Sequence, residues 1–573
     1  MIFKKNKKKE KLQTSRADVI ELQVTGMTCP SCASHVEQAL QQVDEVLEAQ
    51  VPAWNEDKAL VKVQGEVQDE TLTKAVKQAG YDARVIQATA ATEARSQNRR
   101  NPNADYDLVV IGTGGGGVAA AIRAAENGHS VAIVEAGTIG GTCVNIGCVP
   151  SKALIRAVEA YHTTGHHPFA GLKTAAQGVD WPALIAQKDE LVSDLRQHKY
   201  VNVLNSYEGV TLIQGWAKLD ENGDVMVNDD RVLKAGRVVV ATGARPKVLP
   251  IAGIENVEVL NSTTAMELKK QPKSLIVLGG RAIALELGQA FARLGTEVTI
   301  LQRSSRLVPE HEPEIGEALA EYFRKEGIRI ETGVATERIR EENGEKIITA
   351  TVRGEQREFC AEQVLMALGR TPNTQEIGLE ATGVELDQNG FIVVDEHLQT
   401  SHPKIYAAGD VTTLPKFVYV AAAAGGTAVE NALNGNSKTF DLTILPDVIF
   451  TNPQIATVGL TEAQAKEQGY EVKTSNLPLE YVPRALAARD TRGFIKLVAD
   501  RKSDRLLGAH ILAAEAGEVI QTAALAVKMG KDHGFTVADL RDILFPYLTQ
   551  VEGIKLAAQT FEKDVAQLSC CAG

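Results

Sequence analysis

Cysteine is scarce in this chain, seven in 573 residues and an odd number, which argues against the paired bridges of a secreted disulfide framework. Aromatic residues make up only 5%, and acidic residues outnumber basic ones by 73 to 61, a formal charge of −12. That balance argues against a nucleic-acid partner, since phosphate binding needs a basic footprint. No apolar run approaches the roughly 20 residues that cross a bilayer. The basic opening MIFKKNKKKEKLQ leads into no apolar segment of the kind a secretory signal carries. The expectation is a cytoplasmic protein without a membrane span, beginning with a solvated basic tail over residues 1–17. Apolar residues, by contrast, are plentiful at 44%. They suffice for globular cores, and the length corresponds to about four modules at roughly 150 residues each.

The placement of the cysteines says more than their number. Six of the seven fall in three close pairs: Cys29 with Cys32, Cys143 with Cys148, and Cys570 with Cys571. In a reducing compartment such pairs point to soft-metal binding or redox exchange. Cys360 stands alone in the alternating stretch REFCAEQVL and reads as structural.

Residues 18–87 alternate DVIELQVTG, ASHVEQALQQV, ALVKVQG, DETLTKAVKQAGY and DARVIQA, the pattern of a small βαββαβ, ferredoxin-like unit of the split βαβ kind. Residues 88–104, ATAATEARSQNRRNPNA, lack apolar periodicity and read as a linker. From residue 105 strands alternate with helices, which predicts an α/β architecture with two Rossmann-like nucleotide-binding domains. The expected boundaries are a first nucleotide domain over 105–260, a second over 261–385, a return to the first over 386–445, and an α+β dimerisation domain over 446–573.

The first nucleotide turn follows the apolar strand DYDLVVIG. Gly112, Gly114 and Gly117 satisfy GxGxxG, and Glu135 ends the next strand where a carboxylate would accept from a ribose diol. The second turn is irregular. Gly279 and Ala284 frame it, but Arg281 takes the place of the middle glycine. Where an acid would read an NAD ribose stands Gln302, followed by Arg303 and Arg306, a substitution that favours the 2′-phosphate of NADP. A solvated basic loop is the alternative.

Between the two turns lies GGTCVNIGCVPSK, residues 140–152, a Cys-x4-Cys at the start of a helix whose dipole can stabilise a thiolate, with Lys152 one turn on. Here the chain resembles the flavin disulfide reductases from about residue 105 to its end. The resemblance implies one FAD per subunit and NADPH as hydride donor. It also implies a redox-active disulfide in which Cys148 faces the flavin and Cys143 is the interchange thiol, and Lys152 beside the flavin paired with Glu286. ATGARP and YAAGDV match further FAD segments, and Asp410 is implied on the ribitol chain. Gly137, Gly141, Thr142, Ala217 and Val418 are implied as additional cofactor contacts.

The far end separates the members of that family. Where disulfide reductases carry His-Pro-x3-Glu, this chain has Phe545-Pro546 and Gln550, so the acid that would protonate a departing thiolate is missing. The chain ends instead in LSCCAG. Adjacent thiols suit a soft, thiophilic metal rather than Mg²⁺ or Ca²⁺. This ending is similar to that of the mercuric reductases. It implies reduction of Hg(II) to Hg(0) in mercuric resistance, and a homodimer whose site joins Cys143 and Cys148 of one subunit to Cys570 and Cys571 of the other. It also implies Tyr200 and Tyr547 as substrate-site tyrosines. The substrate would arrive as Hg(II)-thiol complexes, with a mercury transporter as a candidate donor. The loop Gly26-Met27-Thr28-Cys29-Pro30-Ser31-Cys32 resembles heavy-metal-associated domains, implying metal capture by Cys29 and Cys32; a thioredoxin-like redox pair is the competing reading. His162, His166 and His167 read as a surface loop, and His35 as solvent-facing. The alternative functions are a general lipoamide- or glutathione-type disulfide reductase, and a metal buffer in which the CxxC module is the whole function.

Overall fold

In the computed structural model, residues 18–27, 30–44, 46–51, 58–63, 67, 69–86 and 103–568 are described. The basic tail, Cys29, most of the linker, and Cys570 and Cys571 lie outside the described residues. The chain forms two compact units, residues 1–100 and 101–573.

The first unit is a four-stranded antiparallel sheet in the order Val46–Gln50, Lys58–Val63, Asp18–Thr25, Asp82–Ile86. Helices Pro30–Gln41 and Asp69–Gln78 complete the βαββαβ order. Its core is built from alternate strand residues, Leu22, Val24, Ala59 and Val61, meeting Val36, Leu40, Leu72 and Val76 at helical spacing. Cys32 lies half-buried on the first helix.

The second unit contains three principal sheets. Strands Ile405–Ala407, Ala235–Val240, Tyr106–Ile111, Val131–Glu135 and Val210–Gln214 form a parallel sheet in that order. A second parallel sheet runs Arg329–Thr332, Glu297–Gln302, Ser274–Leu278, Gln363–Met366. Both are built from unbroken apolar runs such as DLVVI and SLIVL, because helices and loops cover both faces. The third is antiparallel, Asp447–Ile449, Gln454–Gly459, Leu506–Ala513, Phe494–Asp500, Val472–Pro478, with helix Ala516–His533 packed against it. This is two parallel α/β modules followed by an α+β module, as the patterning predicts.

Three local features differ from the sequence reading. The Cys-x4-Cys segment is two helices, Gly141–Asn145 and Cys148–His166, broken at Ile146 and Gly147. His162 and His166 fall on the last turns of the long helix rather than in a loop, with rings stacked at 4.1 Å. Burial and the nearby Arg293 guanidinium lower the His162 pKa to about 4. Cys360 is exposed on strand Glu355–Ala361 and belongs to no core.

Helix Val418–Asn434 crosses helix Gly115–Glu126 so closely that a Cβ on Gly425 would stand 2.1 Å from the Gly116 carbonyl oxygen. This contact presses the first nucleotide turn against the second half of its own domain. Gly425→Ala is expected to lower unfolding stability by about 2–3 kcal/mol, the scale of overpacking a tight contact. Thermal denaturation checks the loss, and reduced retention of yellow flavin absorbance on purification would locate it at the turn.

Candidate active site

The first glycine turn is fixed by backbone sterics. Gly112 has φ +103°, and an added Cβ would lie 2.5 Å from the Ala241 carbonyl oxygen. On Gly117 it would lie 1.9 Å from the oxygen of Gly112. Gly114, in contrast, faces open space, its nearest neighbour being the Gly141 Cα at 4.0 Å. Gly115 abuts Val418, and Gly141, with φ +64°, passes over Gly114. The result is an uncluttered backbone concavity at the N-terminus of a twelve-residue helix, which fits a pyrophosphate.

Glu135 ends its strand beside this turn. Its Oε2 accepts from the Thr113 N–H at 2.9 Å and hydroxyl at 2.5 Å, and its Oε1 from the Gly137 N–H at 2.7 Å. The Thr113 hydroxyl also accepts from the Gly140 N–H at 3.0 Å, linking the turn to the cysteine segment. Ala217 is buried in the small sheet just beyond Gln214, whose amide donates to the Gly137 carbonyl at 3.1 Å. On the opposite side Asp410 is 3.2 Å from Arg370 Nε. Burial raises the Asp410 pKa, with Arg370 and then Lys416 acting against it. Arg370 also donates to the Ala244 carbonyl and, at 3.4 Å, to the Thr142 hydroxyl. Thr113 and Arg370 are absent from the sequence reading. The hydroxyl inside the glycine turn is a local signal for the first, while the second rests on pairing across distant segments.

Cys143 and Cys148 are brought together as thiols, Cys143 half-buried and Cys148 exposed at the first position of its helix. The Cys143 thiol donates to the Cys148 sulfur, and this bond holds the Cys143 pKa well above the ordinary thiol value. The same bond, more than the Lys152 ammonium, lowers the Cys148 pKa to about 7; burial and the Glu286 carboxylate work against it. The segment is fastened by Asn145, which donates to the carbonyls of Ile139 and Gly141 and accepts from Arg196 at 3.1 Å. Tyr200, on the π-helical turn Gln197–Val201, feels both sulfurs; burial and then their charge raise its pKa. Lys152 donates to Glu286 Oε2 at 2.6 Å, and Glu286 Oε1 accepts from the Phe450 N–H at 2.9 Å. The Phe450 ring lies 4.7 Å from the Lys152 ammonium, a contact the sequence reading lacks.

The second turn is built differently. Gly279 has φ +124° and would place a Cβ 2.5 Å from the Ala367 carbonyl oxygen, above buried Ala284. Arg281 occupies the N-cap position of the following helix without a side-chain capping bond and pairs with Glu310 at 3.1 Å. Gln302 is buried and holds its own loop, accepting from the Arg303 N–H at 3.1 Å. The exposed Arg303 side chain has no polar partner among the described residues. Arg306 turns back, its Nη2 donating to the carbonyls of Pro309 at 2.7 Å and His311 at 3.4 Å. The two arginines thus differ: Arg303 faces outward and Arg306 braces the loop. Val308, two residues past Arg306, has φ +39°, a strained conformation for a β-branched residue costing about 1–3 kcal/mol.

In the 446–573 module, Tyr547 lines a groove of about 390 Å³ with Tyr481, Leu486, Leu548, Leu556 and Leu568. None of the residues lining it comes from the cysteine segment. Phe545, in the place of the family's histidine, packs against the module's core, and Gln550 is buried with its Nε2 unpartnered. Leu525, Met529, Ile543, Leu544 and Leu548 leave a large apolar area exposed on the same module.

Residues 106–425 match the family described as pyridine nucleotide-disulphide oxidoreductase, residues 445–558 the dimerisation domain of that family, and residues 21–82 the heavy-metal-associated domain. The chain is 46% identical to the mercuric reductase of Lysinibacillus sphaericus, over 96% of this chain and 99% of that one. It is 45% identical to the mercuric reductase of Staphylococcus aureus over the same shares. Among solved structures, the Cu(II) complex of the HOCl-induced flavoprotein disulfide reductase RclA from Escherichia coli superposes with a TM-score of 0.69 at 31% identity, covering 78% of this chain and 98% of that one. LpdA from Mycobacterium tuberculosis gives 0.71 at 28%, covering 79% and 99%. No helix among the described residues is long and apolar enough to cross a membrane. The chain belongs to the pyridine nucleotide-disulphide oxidoreductase family, whose fold implies use of a flavin and a pyridine nucleotide, and its near-full-length relatives are mercuric reductases.

Proposed function

We propose that this protein reduces Hg(II) to volatile Hg(0) at the expense of NADPH, as a cytoplasmic mercury-detoxifying enzyme. The observation that carries the reading is the Cys143–Cys148 dithiol, one sulfur poised as thiolate near pH 7 and the other as its hydrogen-bond donor, in a chain whose relatives are mercuric reductases. Two electrons from NADPH balance the reduction, with release of NADP⁺ and a proton. The 112–117 turn, Glu135 and Asp410 would hold FAD, which when bound would supply the electron relay between nucleotide and metal. Arg303 reads the nucleotide's 2′-phosphate.

The protein's own groups handle the metal. Cys29 and Cys32 collect Hg(II) from thiol complexes, Cys570 and Cys571 of the partner subunit receive it, and Cys143 and Cys148 hold it for reduction. Each hand-off replaces one thiolate by another, so the soft ion is never released bare. The protein acts as a homodimer, supported by the match to a dimerisation domain and the exposed apolar area on that module. Tyr200 and Tyr547 flank the substrate. Phe545 and Gln550 favour this reading over the general disulfide reductase, which needs an acid for its leaving thiolate.

Cys148→Ser is expected to retain flavin absorbance and lose Hg(II)-dependent NADPH oxidation by about a thousandfold or more. Turnover of oxidised glutathione or lipoamide by the unaltered protein, with none of thiol-bound Hg(II), would overturn the assignment. Cys29→Ala with Cys32→Ala should slow capture at low thiol concentration and leave turnover at saturating small-thiol complexes unchanged.

The Cys148 pKa gives a separate check. Since the thiolate is the nucleophile, alkylation of the reduced protein by iodoacetamide should rise about tenfold per pH unit below the midpoint and level off above about pH 7. Lys152→Met removes a cation that favours the thiolate and should move the midpoint up by about one unit. Alkylation rates against pH, read by mass spectrometry at Cys148, measure both.

A further inference from the structure

The segment between strand Glu297–Gln302 and helix Pro313–Lys325 is tied down at both ends in a way the nucleotide turn alone does not require. At its near end the Gly333 N–H donates to the Ser304 carbonyl at 3.0 Å; further along, the Val308 N–H donates to the Gly280 carbonyl at 2.9 Å and Arg281 meets Glu310 at 3.1 Å, so the segment closes across the glycine turn. In its middle Val308 is fully buried at φ +39°. Helix Pro313–Lys325 presses from behind: a Cβ on Gly316 would lie 2.4 Å from the Leu307 carbonyl oxygen.

At its far end the restraint comes from another module. Lys496, on strand Phe494–Asp500 and 4% exposed, contacts Glu312 at 2.9 Å, Glu314 at 2.8 Å and Glu462 at 3.1 Å. The other oxygen of Glu312 accepts from the Glu462 N–H at 2.6 Å. His311, also buried, approaches Asp447 at 3.6 Å. An ammonium removed from water among three carboxylates is a costly arrangement whose best-attested use is to impose register rather than to add stability.

We propose that residues 303–312 are a preformed clasp for the 2′-phosphate of the nucleotide, and that Lys496 is a positioning residue for nucleotide selectivity, holding the clasp from the dimerisation module. This rests on the reading of Arg303 as the 2′-phosphate contact. A guanidinium on a loop free to wander would spend binding energy on ordering that loop. With Glu312 and Glu314 anchored by Lys496 and Arg306 engaged by the clasp's own carbonyls, Arg303 is presented from a fixed base. Lys496 touches no substrate, and its effect should appear only where the 2′-phosphate is read.

The test is calorimetric titration of the FAD-loaded protein with NADP⁺ and NAD⁺, beside steady-state kinetics with NADPH and NADH. Lys496→Met combined with Glu312→Gln removes both buried charges together. It is expected to weaken NADP⁺ binding five- to tenfold relative to NAD⁺. Glu314→Gln, at the half-exposed edge of the cluster, should give a two- to threefold loss of the same ratio and serves if the double variant does not fold. Arg303→Ala separates the two claims. If it abolishes the preference for NADP⁺ and the Lys496 and Glu314 variants keep it, the clasp is overturned and the phosphate contact stands. If Arg303→Ala leaves the preference intact, both fall. A fall in thermal stability with an unchanged NADP⁺/NAD⁺ ratio would likewise reduce Lys496 to a structural role and overturn the inference.

Discussion

The carboxylate of Glu286 is the point on which the candidate site depends. It is 5% exposed, on the helix that follows the second glycine turn, and its two oxygens are used by two other parts of the chain: Oε2 by Lys152 at 2.6 Å, and Oε1 by the Phe450 backbone at 2.9 Å. One buried charge thus ties the cysteine helix, the second nucleotide module and the start of the dimerisation module. Removing either partner of such a pair leaves a charge without compensation, at a cost of about 3–5 kcal/mol. Because Lys152 is one helical turn from Cys148, fixing its ammonium also fixes the cation nearest the thiolate. The electrostatic gain is deliberately small, since Lys152 favours the Cys148 thiolate and Glu286 opposes it. What tips the balance is the thiol of Cys143, and a thiolate stabilised mainly by its neighbour's proton responds directly to the state of that neighbour.

The two glycine turns solve the same backbone problem and finish it with different side chains. Around the first, Thr113 and Gly137 donate to Glu135 and hold its carboxylate in place with lone pairs to spare. Around the second there is no acid. Gln302 turns inward to hold its own loop, and the positive charge is delegated to a loop that needs outside restraint. On the proposed reading that difference matches the ligands: a ribose diol would be a donor close to the strand end, whereas an additional phosphate would extend outward and need a cation brought to it.

Much of the site was legible in the sequence where its determinants are local. The glycines, Glu135, Cys143, Cys148 and Lys152 sit within turns and helix starts whose backbone needs select those residue types. The Lys152–Glu286 pair spans 134 residues and entered only through a family resemblance. Arg370, Phe450 and Lys496 were not legible, for a physical reason visible at Lys496. In FIKLVAD a lysine between apolar residues reads as the solvent face of an alternating strand, yet every residue of that strand is buried because both faces are covered. Alternation loses its meaning there, and the lysine is informative only once its distant carboxylates are known. The histidines failed in the opposite direction: they read as a surface loop, but the helix runs on through His162 to His166 and ends just before His167.

In the proposed function the far end of the chain would exchange proton chemistry for ligand chemistry. A disulfide substrate leaves behind a thiolate of ordinary basicity, so its reductase gains from an imidazole that delivers a proton. A phenyl ring at 545 packs into the module's core instead, and the amide at 550 is buried with its nitrogen unpartnered, a cost of about 1–3 kcal/mol that no protonation step repays. A soft metal held by two sulfurs makes a different demand. Its transfer needs the incoming sulfur to be ionised, and the outgoing one to be ready to accept a proton or another ion. A thiolate with a pKa of about 7 beside a thiol held well above it meets both requirements within one pair. On the proposed function, proton management would rest in the dithiol itself, and the chain could dispense with the imidazole and still exchange ligands at neutral pH.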